Sequence, residues 1–308
     1  MQIASWIILR PYYFFETLFF KATDARVYAL MRILYSSVCL ISLAHLWTMA
    51  PELLTDSGII PSEAFKQQNG AFSVFYLVTD QFGVNCLFFV AAIALICMLL
   101  GYQTRIAAIL VFIWQFSYAA RIIGSSGWDY LLLNIGFALM LSPLDNVWSI
   151  RSIKARKKGI SLAKTVPRYG LILIQLEVAL MYFQTVWYKI GDPFWRNGEL
   201  VSYFVMGTYS IIQKPLLIDF PRVGVFLTHM TIIIQHYLPF LLWNKKLRLI
   251  GFISGCAMHF AILFSTVPIF SLVVFMSYWA FVSGEDLDRI KDFFQRYGPK
   301  IYLNRTKA

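Results

Sequence analysis

The chain has 308 residues, 59% hydrophobic and 14% charged, with a mean hydropathy of +0.64 and a net charge of +11. A soluble domain is about 45–50% apolar and about 25% charged, so this composition excludes a water-soluble globule and indicates an all-α, polytopic integral membrane bundle. The positive charge sits in particular loops and not on one face, which excludes a nucleic-acid partner and leaves membrane lipids as the immediate surroundings.

Residues 1–22 are rich in Trp, Tyr and Phe and read as an interfacial N-terminal segment. Arg10-Pro11 cuts the apolar run from Ile3 to Leu9, so no signal peptide is read there. Apolar runs then predict about eight transmembrane helices, at about 27–47, 83–101, 104–122, 128–145, 169–188, 223–243, 247–265 and 267–283. Together they make one membrane domain over 23–285. With the N-terminus in the cytoplasm, 21 of the 27 Lys and Arg fall on the cytoplasmic side. That bias supports an even number of spans with both termini cytoplasmic.

The outer segment 48–82 is acidic, with Glu52, Asp56, Glu63 and Asp80, and holds the turn-forming run Asp56 to Pro61. A second outer segment, 189–222, contains a moderately apolar stretch from Glu199 to Ile212 that is too short to cross. Residues 286–308 form a cytoplasmic amphipathic tail, with Leu287, Ile290, Phe293, Phe294 and Tyr297 at helical spacing. Cys39, Cys86, Cys97 and Cys256 each lie in an apolar stretch with no Cys-x-x-Cys spacing. No disulfide framework or metal site is expected from them.

Ionisable side chains within a span cost about 2.5–3.5 kcal/mol at its centre, so those present are candidates for function. Glu177 lies near the middle of the fifth expected span, and Gln175 and Gln184 share that span. Lys189 stands at its outer end among Trp187, Tyr188, Phe194 and Trp195, just ahead of a Gly-Asp-Pro break. Two readings stay open for it. The lysine snorkels into the headgroups, or aromatic desolvation poises its amine to act as a base. His229 and His236 are seven apart on one helix face, and His259 lies in the next span. Arg121 and Asp129 flank a short turn, where an ion pair closing the hairpin is the structural alternative. Lys189, His229, His259, Asp129 and Arg121 fall in the outer half of the bundle, with Glu177 deeper. No metal-ligand spacing, phosphate loop or dinucleotide fingerprint accompanies them.

Several segments in this order resemble the HTTM (horizontally transferred transmembrane) family, whose domain is shared with vitamin K-dependent gamma-carboxylase. They are Arg32, the loop 56–61, Ser142 to Ser149, Tyr188 to Gly198, and His259 before Phe270-Ser271. The resemblance implies that Lys189 is a base acting on a hydroquinone and that His259 matters to function. On the residues themselves Lys189 is a base or substrate anchor with His259 and Glu177 as proton partners, and a non-catalytic scaffold or transporter stays open as the alternative. The resemblance also implies an outward-facing, quinone-accessible site, and the depth and aromatic setting read above add His229, Asp129, Arg121, Tyr188 and Trp195 as expected cavity residues. A quinone or hydroquinone is the cofactor so implied, and no metal is. Where the carboxylases carry an Asn-His pair, this chain reads Gly127-Trp128-Asp129 ahead of Tyr130-Leu131. It is more similar to compact bacterial members like SdpB, which help mature an exported peptide toxin. The partners implied are an exported peptide or protein and accessory membrane subunits, in the bacterial cytoplasmic membrane.

Overall fold

A computed structural model describes residues 13–69, 72–122, 124–207, 210, 217–265 and 268–297. The expected interfacial segment is therefore described only from Tyr13, and the tail only to Tyr297. Residues 13–20 are helical, with Tyr13, Phe14, Phe15 and Phe20 exposed. A short strand β1 (Ala22–Asp24) leads into the long helix α1 (Ala25–Leu54), which Asp24 caps by accepting from the Arg26 N–H. After α2 (Ser62–Asn69) come α3 (Gln81–Leu100), α4 (Thr104–Arg121), α5 (Gly127–Met140) and the short basic α6 (Ile150–Lys157). Strand β2 (Thr165–Pro167) pairs antiparallel with β1, setting Asp24 opposite Thr165. Helix α7 (Tyr169–Gly191) follows, then α8 (Pro193–Arg196), α9 (Leu200–Met206), α10 (Pro221–Trp243), α11 (Arg248–Ser265), α12 (Pro268–Tyr278) and α13 (Gly284–Tyr297).

The longer helices run alternately between two ends. At the basic end, β1 meets β2, the Tyr169 hydroxyl donates to the Leu141 carbonyl, and Thr104 donates to Asp145 at 2.6 Å. At the other end, Arg121 donates to the Ile60 carbonyl and the Asp56 N–H bonds the Thr79 carbonyl. The loops that share a charge bias thus share an end. Between them lies a core of small and apolar side chains from α1, α3, α4, α5, α7 and α12. Tyr35 is fixed inside it by donating to Gln115 at 2.6 Å.

Every expected span position holds a helix, but fewer than eight qualify as crossings. Among the described residues, α1, α3, α7 and α10 are each long and apolar enough to cross a membrane. A fifth is added if the bent pair Pro268–Phe281 and Gly284–Tyr297 counts as one. Two of the others are short: at ~1.5 Å per residue, the 14 residues of α5 reach about 21 Å and the 11 of α12 about 17 Å, against a hydrocarbon core of ~30 Å, whereas α4 has 18 residues but is less apolar.

Helix α13 is held against the basic end by ion pairs. Asp288 bridges Arg26 at 2.6 Å, and Asp286 bridges Arg248 at 3.4 Å. The Arg26 hydrogen bond holds the Asp288 carboxyl below its ordinary pKa. A carboxylate depressed in the folded state supports it above the unfolded value of about 3.9 and loses that support as pH falls through the folded value. A spin label at the exposed Gln295 should therefore gain mobility below about pH 4. Asp288→Asn should show part of that gain already at neutral pH, and a label indifferent to both changes would contradict the docking.

Candidate functional site

The candidate site begins on one face of α7. Gln175, Tyr182 and Lys189 are spaced by seven, close to two full turns, so they line up along the helix. Gln175 donates to the Ala280 carbonyl at 2.8 Å and ties the lower part of this face to the segment after α12. Tyr182, fully buried, pairs with His259 Nε2 at 2.9 Å and with the Tyr278 hydroxyl at 2.5 Å. At the top of the face, Lys189 Nζ donates to Gln235 Oε1 of α10 at 2.5 Å and lies 4.2 Å from the centre of the Trp195 ring.

The Gly-Asp-Pro break puts Trp195 over the lysine. Asp192 ends α7, its N–H reaching the Lys189 carbonyl at 3.2 Å. It also begins α8, its Oδ1 accepting from the N–H groups of Phe194 and Trp195. Pro193 takes the first helical position, where its missing donor is not needed. Gly198 then turns with φ of +80°, and a Cβ there would lie 2.7 Å from Val225 Cγ1 of α10. The chain thus folds back immediately beyond Lys189 and carries the indole across its amine. Asp192→Ala should cost about 1 kcal/mol of stability, the value of an N-cap. It should also alter the fluorescence of Trp195. Asp192→Asn, which keeps the acceptor, should cost less in the same thermal melts, and equal melts for all three proteins would contradict this cap.

His259 is fully buried and ringed edge-on by Phe270, Phe275 and Tyr278. Its Nδ1 has no hydrogen-bond partner among the described residues, which for a buried ring nitrogen is costly. Its partner Tyr182 lies two turns below Lys189 on the same face of α7. One turn before the histidine, a Cβ on Gly255 would sit 2.6 Å from the Tyr278 hydroxyl. Only glycine leaves Tyr278 room to reach Tyr182. The arrangement offers an amine with an acceptor and a π face for its charged form. About two turns below it is a short chain of exchangeable protons, Tyr278–Tyr182–His259, ending on an unpartnered nitrogen.

The structure gathers Lys189, Trp195 and His259 and leaves the other expected residues apart. Glu177 accepts from Asn134 Nδ2 of α5 at 2.8 Å. It sits about 18 Å along α7 from Lys189 and about a third of a turn around it. Tyr188 is exposed, facing away. His229 is exposed on α10, its Nε2 at 3.0 Å from the Arg196 carbonyl, near the end of α8. Asp129 closes a capping box at the start of α5, with Oδ2 accepting from the Ser126 N–H and hydroxyl at 2.9 Å. Arg121 points to the Ile60 carbonyl at 2.8 Å. The local Ser-x-x-Asp spacing uses the Asp129 carboxylate within its own turn. Three members were not anticipated: Gln235, Tyr182 and Tyr278. The spacing of seven between Tyr182 and Lys189 was the available signal.

Comparisons with known proteins agree on the kind of chain this is. The model of the HTTM domain family matches residues 20–285. A Bacillus subtilis (strain 168) protein, YitO, itself described as uncharacterized, is 26% identical over 268 residues. The similarity covers 80% of this chain and 82% of that protein. No solved structure matches.

Proposed function

The chain belongs to the HTTM domain family, and from that premise we propose that it helps modify or mature an exported peptide or protein at the outer face of a bacterial cytoplasmic membrane, with Lys189 as the base. One observation carries the reading: the Lys189 amine sits between the Gln235 carboxamide oxygen and the Trp195 ring. A neutral amine there takes a proton from an acidic O–H or N–H of the substrate. The ammonium formed donates to Gln235 and rests on the indole face, where a desolvated cation gains about 2 kcal/mol. Both partners favour the protonated product of that step, which is what a base site needs. His259, through Nε2, can exchange a proton with Tyr182 and, beyond it, Tyr278, and its Nδ1 is left without a partner among the described residues. Glu177, committed to Asn134, stays outside this reading.

A second reading rests on the aromatic content of the site. Trp195 offers a flat apolar surface against the amine, and Phe194 and Tyr203 pair edge-on at 5.5 Å in the segments around it. That donor set fits a hydroquinone, with the ring on the aromatics and a phenolic proton within reach of Lys189. A bound hydroquinone would supply reducing electrons, and this chain's part would be to orient it and accept its proton.

The test compares exported peptides by mass spectrometry from cells with and without the full-length protein, alongside lipid extracts of the purified protein. A peptide mass change that depends on the chain supports the first reading. Co-purified quinone supports the second. An unchanged peptide pool with no quinone would overturn both.

A further inference from the structure

The basic end holds a cavity of about 1040 Å³, at the opposite end of the bundle from Lys189. That is at the top of the ~300–1,000 Å³ range of small-molecule sites. One wall is apolar, made by Leu99 and Leu100 at the close of α3, Ile153 of α6 and Ile160 beyond it. The rim is cationic, with Arg26, Arg156 and Lys164. Arg26 is committed to Asp24 and Asp288, and so also neutralises the lone lining carboxylate, Asp24, among the described residues. Arg156 and Lys164 have no acidic or hydrogen-bonding side-chain partner among the described residues. The cavity therefore presents two uncommitted cations beside hydrocarbon.

Trp148 stands at its edge in an unusual conformation. Its φ of +50° lies in the left-handed region that a bulky side chain rarely adopts. Its carbonyl is held there by the fully buried Arg32, which donates from Nη2 at 2.6 Å. The indole is left exposed on the cavity wall. A strained backbone that displays an aromatic side chain is a mark of a functional surface, and Trp is the residue that sits at headgroup level.

We propose that this cavity binds an anionic phospholipid of the cytoplasmic leaflet. The phosphate meets Arg156 and Lys164, and an acyl chain runs along Leu100 and Ile153. Three features select a lipid over free phosphate. The cavity opens where an apolar helix ends, its wall is hydrocarbon, and Trp148 marks the interface. Basic pockets on the cytoplasmic side of helical membrane proteins take headgroups in this way. The site is independent of the chemistry at Lys189.

The experiment is native mass spectrometry of the full-length protein from nanodiscs of phosphatidylglycerol or phosphatidylcholine. The wild-type chain should retain phosphatidylglycerol selectively. The double variant Arg156→Gln, Lys164→Gln changes only exposed side chains and should lose about 30-fold in that retention, at ~1 kcal/mol per basic residue. Soluble glycerol 3-phosphate should not displace the lipid. Equal retention of the two lipids, unchanged retention in the double variant, or displacement by glycerol 3-phosphate would each overturn the proposal.

Discussion

Lys189→Ala should lower product formation by at least about 100-fold, the least that loss of a general base removes, while the protein stays folded in the membrane. The alanine deletes the amine but leaves the capping turn at Asp192 intact. Lys189→Arg separates the two readings of this residue. A guanidinium keeps the charge and the contact with Trp195 but does not give up its proton. A lysine that only anchors the helix end would tolerate arginine, whereas a base would not. Product from the arginine variant at the wild-type rate would contradict the proposed role.

Gly101→Ala should destabilise the basic end by about 2–5 kcal/mol, from a left-handed backbone penalty of ~1–2 kcal/mol and overpacking of ~1–3 kcal/mol. Gly101 closes α3 with φ of +70°. A Cβ there would lie 2.8 Å from Ser149 Cα and closer still to Ser149 Cβ and Arg32 Nη1. Neither neighbour can retreat. Ser149 caps α6 by accepting from the Ser152 N–H at 2.9 Å, and Arg32 is fully buried with its Nη2 on the Trp148 carbonyl. Thermal unfolding in detergent reads the effect. A variant within about 0.5 kcal/mol of wild type, the usual range of a surface change, would mean that Arg32 is not fixed as described.

The helices were legible because apolar runs are the strongest signal a membrane chain carries. Helix length was less legible, since hydropathy marks an apolar segment whether or not it is long enough to span. Helices α5 and α12 are such segments. Within the site, Lys189 announced itself through a charge beside a helix break. Tyr182 and Tyr278 did not, because tyrosine is common in this chain and usual in interface belts. Their pairing depends on Gly255 letting α11 approach α12, a tertiary fact with no local signature. Asp129 shows the reverse case. Its charge near Arg121 drew attention as an ion pair, while a capping box of three residues' reach takes the carboxylate. Glu177 likewise looked like a deep proton partner, and an amide on a neighbouring helix occupies it.

The central claim is that an amine at position 189 performs the proton transfer, and chemical rescue tests it most directly. In a background where the exposed Cys86 is replaced by alanine, Lys189→Cys should be inactive. Treatment with 2-bromoethylamine rebuilds an amine at the same place. Peptide product, followed by mass spectrometry, should then return. Untreated Lys189→Cys protein that already forms product at the wild-type rate would contradict the claim.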